Sequence, residues 1–210
     1  MLFGRKKKLE RALEALITVN ENLNKELSQA KTDVAHMQRL LDFVDRKVQA
    51  EQFRLCKLQK METGEYIAYL LQTQLEESPQ YMYTYNLFAY LDSDLRSPVY
   101  RAHFSWRLPQ PLPESTLDID MQYIENGGWH GCGIGSCGMD IVKTVARELH
   151  CTKITAKPKV LTFVQTQEET KKELEKLLRF YEKNGFQYLP DTGLMACKVP
   201  YTVADEPKMF

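Results

Sequence analysis

A heptad repeat of apolar residues near the start of the chain is the strongest constraint on its fold. Between Gly4 and about residue 60 the sequence contains neither glycine nor proline. Apolar residues recur there at alternating steps of three and four, the period of a helix that buries one stripe against a partner helix. The d positions are Leu9, Leu16, Leu23, Ala30, Met37 and Val44, and the a positions are Leu13, Asn20, Leu27, Val34, Leu41 and Val48. We therefore predict an N-terminal coiled-coil helix over residues 1–60.

Asn20, the polar residue of this seam, indicates how two such helices would pair. A buried asparagine at an a position favours a parallel, in-register pair, in which it hydrogen-bonds with its copy. Glu26 at g and Lys31 at the following e position suit the same arrangement. The sequence thus predicts a parallel homodimer through residues 9–58. The alternative is a long helix that packs on its own domain.

The remainder of the chain is predicted to hold a connecting helix and one α+β domain. An apolar stretch interrupted by Gly64 favours a helix over residues 61–79, and the domain follows over residues 80–210. Aromatic and β-branched segments predict strands within 81–92 and 99–108, and alternation predicts another over 116–125. Thereafter we predict a helix from about residue 139, a strand over 152–158, a helix opened by a Thr166–Glu169 capping box, and a hairpin around residues 191–193.

Composition limits the classes of function. The chain has 28 basic and 28 acidic residues, so we expect no nucleic-acid partner on grounds of charge. It has no signal-peptide core and no apolar run long enough to span a bilayer. Five cysteines, an odd number, favour reduced thiols and a cytoplasmic protein.

A glycine-rich segment over residues 127–138, with the sequence GGWHGCGIGSCG, is open to three readings: a phosphate cradle, a turn whose cysteines are incidental, and a metal site. Between a strand and a helix, it would present backbone N–H groups at the positive end of the helix dipole, which suits phosphate. Gly133, Gly135 and Gly138 also match the dinucleotide-binding fingerprint. That match is weak, because the acidic residue expected about twenty positions later is missing.

The third reading is a zinc site, for which the segment and its surroundings supply suitable ligand types. The candidates are His130, Cys132, Cys137, His150 and Cys151. Cys137 and Cys151 would lie at opposite ends of one helix, about 20 Å apart by its rise, so they cannot share an ion. We therefore predict no metal, and expect Cys137, Cys151 and Cys197 to act as small apolar residues.

Two motifs resemble those of the GNAT acyltransferase superfamily. The segment HGCGIGSCGMDIVKTVARELHCTKI, starting at His130, is similar to motif A, whose pattern is Arg/Gln-x-x-Gly-x-Gly/Ala on the loop that opens the central helix. The segment LLRFYEKNGFQ, starting at Leu177, is similar to motif B. The resemblance covers roughly residues 80–200. His130 stands where the family has Arg or Gln.

The resemblance implies a GNAT-like mixed, mostly antiparallel sheet flanked by helices and splayed between the family's fourth and fifth strands. It implies that acetyl-CoA, or another acyl-CoA, binds in the gap, with its pantetheine chain along the strand end. The residues it assigns to this cofactor are Tyr123, Ile124, His130, Gly131, Cys132, Gly133, Ile134, Gly135, Ser136, Cys137 and Gly138.

The resemblance also implies the chemistry. An amine attacks the thioester directly, a general base removes its proton, and a tyrosine protonates the leaving thiolate. Tyr181 matches that tyrosine; its alternative role is packing against the sheet. Candidates for the base are Asp118, Asp120 and Glu125, on or near the strand that borders the gap.

The sequence therefore predicts an acyl-CoA-dependent N-acyltransferase, dimerised by its coiled coil, that transfers an acyl group to an amine. Small amines, peptide N-termini, lysine side chains and antibiotics all stay open as acceptors. The alternative function is a non-catalytic adaptor that keeps the fold and assembles through the coiled coil. Saturable binding of acetyl-CoA would distinguish the two.

Overall fold

The computed structural model describes residues 2–76, 82–107, 115–125, 127–160 and 166–200. Three α-helices, a short 3-10 helix and eight strands follow one another along the chain. They are α1 (Leu2–Glu51), β1 (Phe53–Lys60), β2 (Tyr66–Glu76), β3 (Met82–Leu91), β4 (Tyr100–Arg107), β5 (Thr116–Ile124), the 3-10 helix (Gly127–Trp129), α2 (Ile134–Glu148), β6 (Lys153–Ala156), α3 (Gln167–Lys183), β7 (Gln187–Leu189) and β8 (Leu194–Lys198).

The strands form one mixed sheet in the order β1-β2-β3-β4-β5-β6-β8-β7. Every neighbouring pair is antiparallel except β5 and β6, which run parallel and are connected through α2. A long helix precedes this sheet, and α2 and α3 flank it. The predicted α+β class is thereby confirmed.

The predicted helix over residues 61–79 is wrong, because this part of the chain contains β2. The N-terminal helix ends at Glu51, nine residues before the predicted end at residue 60. β1 and β2 form a hairpin, closed by a turn in which Gly64 has a φ of +91° and Met61 N–H donates to the Glu65 carbonyl at 2.8 Å. Residues 77–79 and 201–210 of the predicted domains lie outside the described residues.

The error at β2 has a physical cause, because this strand is buried on both faces. A strand of that kind is continuously apolar and loses the alternation that identifies a strand. One core takes Ile67, Tyr69 and Leu71, and the other takes Tyr66, Ala68 and Leu70.

The last third of α1 packs on the sheet. Leu40, Phe43 and Val44 are buried against β1, β2 and β3 in the smaller of the two cores. Polar contacts extend the same stripe: Lys60 pairs with Asp33, and His36 Nδ1 lies 2.6 Å from Asp92 Oδ2. This part of the helix therefore belongs to the α+β domain.

The heptad seam before this stripe faces away from the sheet. Its apolar side chains are exposed at Leu13, Leu16, Leu23, Leu27, Val34 and Met37. The side chains of residues 2–10 and 12, and with them the predicted d position Leu9, lie outside the described part of the chain. No helix among the described residues is long and apolar enough to cross a membrane.

The larger core lies on the opposite face of the sheet, where α2 and α3 pack. Phe104 of β4, Leu117 of β5 and Val142 of α2 are fully buried in it. The predicted capping box opens α3, where Thr166 Oγ1 accepts from Glu169 N–H at 3.2 Å. The predicted closing hairpin is also confirmed, with β7 and β8 joined through residues 190–193.

Candidate functional site

The N-terminus of α2 has no side-chain capping hydrogen bond among the described residues, and its N-cap residue is exposed. Gly133 is the N-cap residue and adopts a left-handed conformation, with φ of 79°. Within the described residues, no atom lies within 4 Å of the Cβ position at Gly131 or Gly133. The first turn of a helix leaves its N–H groups without intrahelical partners and carries a partial positive charge. This end of α2 is therefore suited to an anion.

Two of the glycines assigned to the cofactor serve packing as well. A Cβ at Gly138 would lie 2.5 Å from the ring of Tyr100, and a Cβ at Gly135 would lie 3.1 Å from the ring of Phe180 on α3. These glycines let α2 approach the sheet and α3 closely. Any contact that these two glycines make with a ligand would therefore come from their backbone N–H groups.

The other predicted cofactor residues divide by exposure. The side chains of Ile134 and Cys137 are buried in the larger core. Ser136 is half-buried in the first turn of α2. The exposed ones, at the mouth of the site, are His130, Gly131, Cys132 and Gly133.

β5 and β6 pair only at their beginnings, so β5 has a free edge beside α2. The parallel ladder runs from Thr116↔Lys153 to Ile119↔Ala156 and stops there. Beyond it, residues 120–125 extend for about 17 Å at the rise of a strand. No described strand pairs with them on that side. We call the point where the two strands part the β5–β6 fork; the predicted pantetheine residues Tyr123 and Ile124 lie beyond it.

A β-bulge lies at the fork itself. Phe104 of β4 pairs with Ile119, and His103 pairs with Met121, so Asp120 is the extra residue. A bulge re-aims the side chains that follow it. Before the bulge Leu117 and Ile119 face the larger core, and after it Gln122 and Ile124 do so.

Tyr181 is buried on the α2 side of the sheet beside Gln122. Burial raises the pKa of Tyr181 to about 12, against a smaller lowering by hydrogen bonding from the Gln122 side chain. The Tyr100 hydroxyl donates to Gln122 Oε1 at 3.3 Å. Gln122 Nε2 is buried and makes no well-aligned hydrogen bond within the described residues. Its contact with the Tyr181 hydroxyl is therefore poorly aligned, and a ligand acceptor with better geometry would stabilise this buried donor.

The three predicted base candidates are spread along β5 and have different partners. Asp118 accepts from the hydroxyl of Thr155 on β6. Glu125 accepts from Arg101 Nε at 2.5 Å. Asp120 Oδ2 lies 3.1 Å from the Nδ1 atom of His103 on β4.

His103 is the residue of this site that the sequence did not single out. It alternates on β4 with the buried residues Ala102 and Phe104, so it lies on the sheet face opposite Tyr181. The alternation of β4 is visible in the sequence and predicts a polar face. Its contact with Asp120 is not predictable, because that contact depends on the bulge.

The zinc reading has no support in the geometry. Among the described residues, no group of three or more His, Cys, Asp or Glu side chains is placed to hold a metal ion. Cys137 lies in α2, and Cys151 follows the end of that helix.

No family model matches the sequence, and no curated protein is significantly similar to it. Solved structures are similar to parts of the chain. The NatC complex bound to Gag peptide and CoA is 18% identical over 56% of this chain and 71% of the other, with a TM-score of 0.38. A Desulfovibrio desulfuricans protein assigned to the GNAT family is 16% identical over 56% and 69%, also at 0.38. Nourseothricin acetyltransferase is 14% identical over 70% and 85%, again at 0.38. At these identities and TM-scores, the similarities carry no information on activity, substrate or partner.

Proposed function

We propose that this protein is an acyl-CoA-dependent N-acyltransferase. The observation that carries the proposal is the position of the uncapped N-terminus of α2 directly after the free edge of β5. The first feature suits a pyrophosphate, and the second suits an extended chain with amide groups. Acyl-CoA has both parts in one molecule and supplies an acyl group activated as a thioester.

The residues fit this ligand in a defined way. The N–H groups of Ile134, Gly135 and Ser136 would meet the pyrophosphate, since these are the first three positions of α2. His130 would contribute an additional donor at the mouth. The backbone of Tyr123 and Ile124 would pair with the amide-bearing chain, and Gln122 Nε2, which lies beside the Tyr181 hydroxyl, would gain a well-aligned acceptor.

Tyr181 is proposed as the acid that protonates the departing thiolate. Tyr181 carries its proton throughout the physiological range, and burial, which raises its pKa, makes it a weaker acid than a free tyrosine. It lies on the α2 side of the free strand edge, beside Gln122. Its ring also packs against Phe186, at 5.2 Å between centroids, so a packing role is compatible with the acid role.

The acceptor is proposed to be an amine that approaches from the opposite sheet face. Three carboxylates lie along this face of β5, at Asp118, Asp120 and Glu125, and Arg101 pairs with Glu125 alone. The negative charge of Asp118 and Asp120 near the fork would attract a cationic amine. Five cysteines, all of them free thiols, support a cytoplasmic location for the reaction.

We also propose that two chains associate in parallel through the exposed seam of α1. Burying side chains such as Leu23 and Leu27 against their copies would remove apolar surface from water, and Asn20 would fix the register. The pair would end near residue 41, because Val44 is already buried on the sheet of its own chain.

Calorimetric titration with acetyl-CoA tests the proposed function. The expected result is saturable binding of one ligand per chain, followed by transfer of the acetyl group to at least one primary amine in a panel. A folded protein with no affinity for acetyl-CoA would contradict the proposal and favour the adaptor function. Light scattering at micromolar concentration tests the dimer independently, with a monomeric full-length chain as the contrary result.

A further inference from the structure

His103 and Asp120 form a side-chain pair at the β5–β6 fork whose geometry resembles the orienting half of a catalytic triad. Asp120 Oδ2 lies 3.1 Å from His103 Nδ1. A carboxylate accepts hydrogen bonds, so the neutral ring carries its proton on Nδ1 and leaves the lone pair of Nε2 free. In this tautomer the Nε2 atom is available to accept a proton, and the carboxylate holds the orientation of the ring.

Neither of the other two carboxylates has such an arrangement. Asp118 is held by the Thr155 hydroxyl, and Glu125 is held by the Arg101 guanidinium. Asp120 alone among the three contacts a group that can itself act as a base.

The position of the pair along β5 agrees with this role. The parallel ladder ends at Ile119, and the next residue, Asp120, is the bulge. A chain running along the free edge from the N-terminus of α2 would reach the bulge at its far end, where its reactive group would lie. His103 is partly open to solvent there, with 34% of its side chain exposed, and Asp120 is 45% exposed.

The proposed acid, Tyr181, and the His103–Asp120 pair lie on opposite faces of the sheet at the fork. Tyr181 belongs to the core under α2, whereas His103 alternates away from that core. In acyl transfer the amine adds to the carbonyl carbon and the thiolate leaves it, so the two groups need not share a side. A base on one face and an acid on the other fit this requirement.

The geometry points to His103 as the general base of the proposed acyl transfer, with Asp120 as its positioning residue. This inference depends on the proposed function. The amine attacks as the free base, after its ammonium proton has passed to water. His103 Nε2 then takes a proton from the attacking nitrogen as the N–C bond forms, while Tyr181 gives its proton to sulfur as the C–S bond breaks. The imidazolium then releases its proton to water, and the tyrosinate regains one. The balanced outcome is an amide and a free thiol.

The first test is the protonation pattern of the ring in the ligand-free, full-length protein. Long-range ¹H–¹⁵N correlation spectra report the tautomer of each of the four histidines, and His103→Gln assigns the signal of interest. We expect neutral His103 with its proton on Nδ1, and loss of that preference in Asp120→Asn. A neutral ring protonated on Nε2 would overturn the inference, whether or not the protein binds acetyl-CoA.

The second test is turnover, measured with acetyl-CoA and the fastest amine of a panel that includes spermidine and a lysine peptide. His103→Gln should lower kcat at least tenfold and leave CoA affinity unchanged, since general-base help is worth about 10²–10⁴ in rate. His36→Gln is the matched control, because His36 Nδ1 also lies against an aspartate, Asp92, but on α1.

The control should retain wild-type kcat. Unchanged kcat in His103→Gln would overturn the inference while leaving the acyltransferase proposal intact. Absence of acetyl-CoA binding in the wild type would instead contradict the proposed acyltransferase function. The tautomer measurement does not require acetyl-CoA, so it would still test the arrangement of His103 and Asp120.

Discussion

A negatively charged side chain introduced in the first turn of α2 should stabilise the free protein and weaken the binding of an anionic ligand. Ser136 is the third residue of that helix and is half-buried. Its Ser136→Asp variant puts a negative charge at the positive end of the dipole, which stabilises the ligand-free helix by about 0.3–1 kcal/mol. The same charge would face an anion bound to the first-turn N–H groups, so the two effects have opposite signs.

The size of the repulsion follows from helix geometry. Residues 134 and 136 differ by only about 3 Å along the axis, so the new carboxylate would lie within a few ångströms of a bound pyrophosphate. Two unit charges at 4 Å repel by about 1 kcal/mol in bulk water and about 4 kcal/mol near a protein surface. We therefore expect the Kd for CoA to rise between about fivefold and a thousandfold.

The assay combines thermal unfolding of the free protein with calorimetric titration of CoA. Ser136→Ala measures the loss of the hydroxyl alone, and Thr18→Asp makes the same change of charge at an exposed position on α1. Both controls should bind CoA nearly as the wild type does. Unchanged affinity in a stable Ser136→Asp protein would mean that the pyrophosphate does not lie at this helix end.

Four further predictions address the other parts of the protein. Tyr181→Phe should lower turnover at least tenfold and leave acetyl-CoA binding nearly unchanged; wild-type turnover would assign the residue to packing only. Asn20→Leu should raise the melting temperature of the dimer and shift it toward trimers in light scattering. Val34→Asp should produce a monomer with a folded domain, because Val34 is 67% exposed. Val44→Asp should unfold the domain, because Val44 is 3% exposed and a buried unpaired charge is costly. Equal effects of the two variants on folding would contradict the two roles of α1. Iodoacetamide should label the exposed Cys132 before the other cysteines, and CoA should protect it; labelling that CoA does not slow would place Cys132 outside the site.

The parts of the fold that were predictable from sequence have a local cause. α3 has a capping box at Thr166 and Glu169, and the closing hairpin has a turn with Gly193 at positive φ. Such signals act within a few residues, so they can be recognised from the sequence alone. The glycine-rich turn before α2 belongs to the same class, since Gly133 adopts the left-handed conformation that glycine favours.

The parts that were not predictable depend on contacts between distant residues. The sequence of β2 predicts a helix because α1 covers one face of the strand and α2 packs over the other, which removes its alternation. The pairing of His103 with Asp120 requires the single-residue bulge in β5. Gly138 was assigned to the ligand, and its close approach to Tyr100 is likewise visible only in three dimensions.

The two roles of α1 set the strength of its proposed pairing. The stripe that packs on the sheet includes His36, Leu40 and Val44, and the heptad seam includes Val34 and Val44, so the two surfaces share one residue. Among the described side chains, the seam free for a second chain runs from about Leu13 to the residues just after Met37, about 38 Å of helix. Fewer than four heptads, with an asparagine and an alanine among their core positions, have little apolar surface to bury. Pairing would then be concentration-dependent, and the site at the β5–β6 fork, built entirely from one chain, would have all its residues in the monomer.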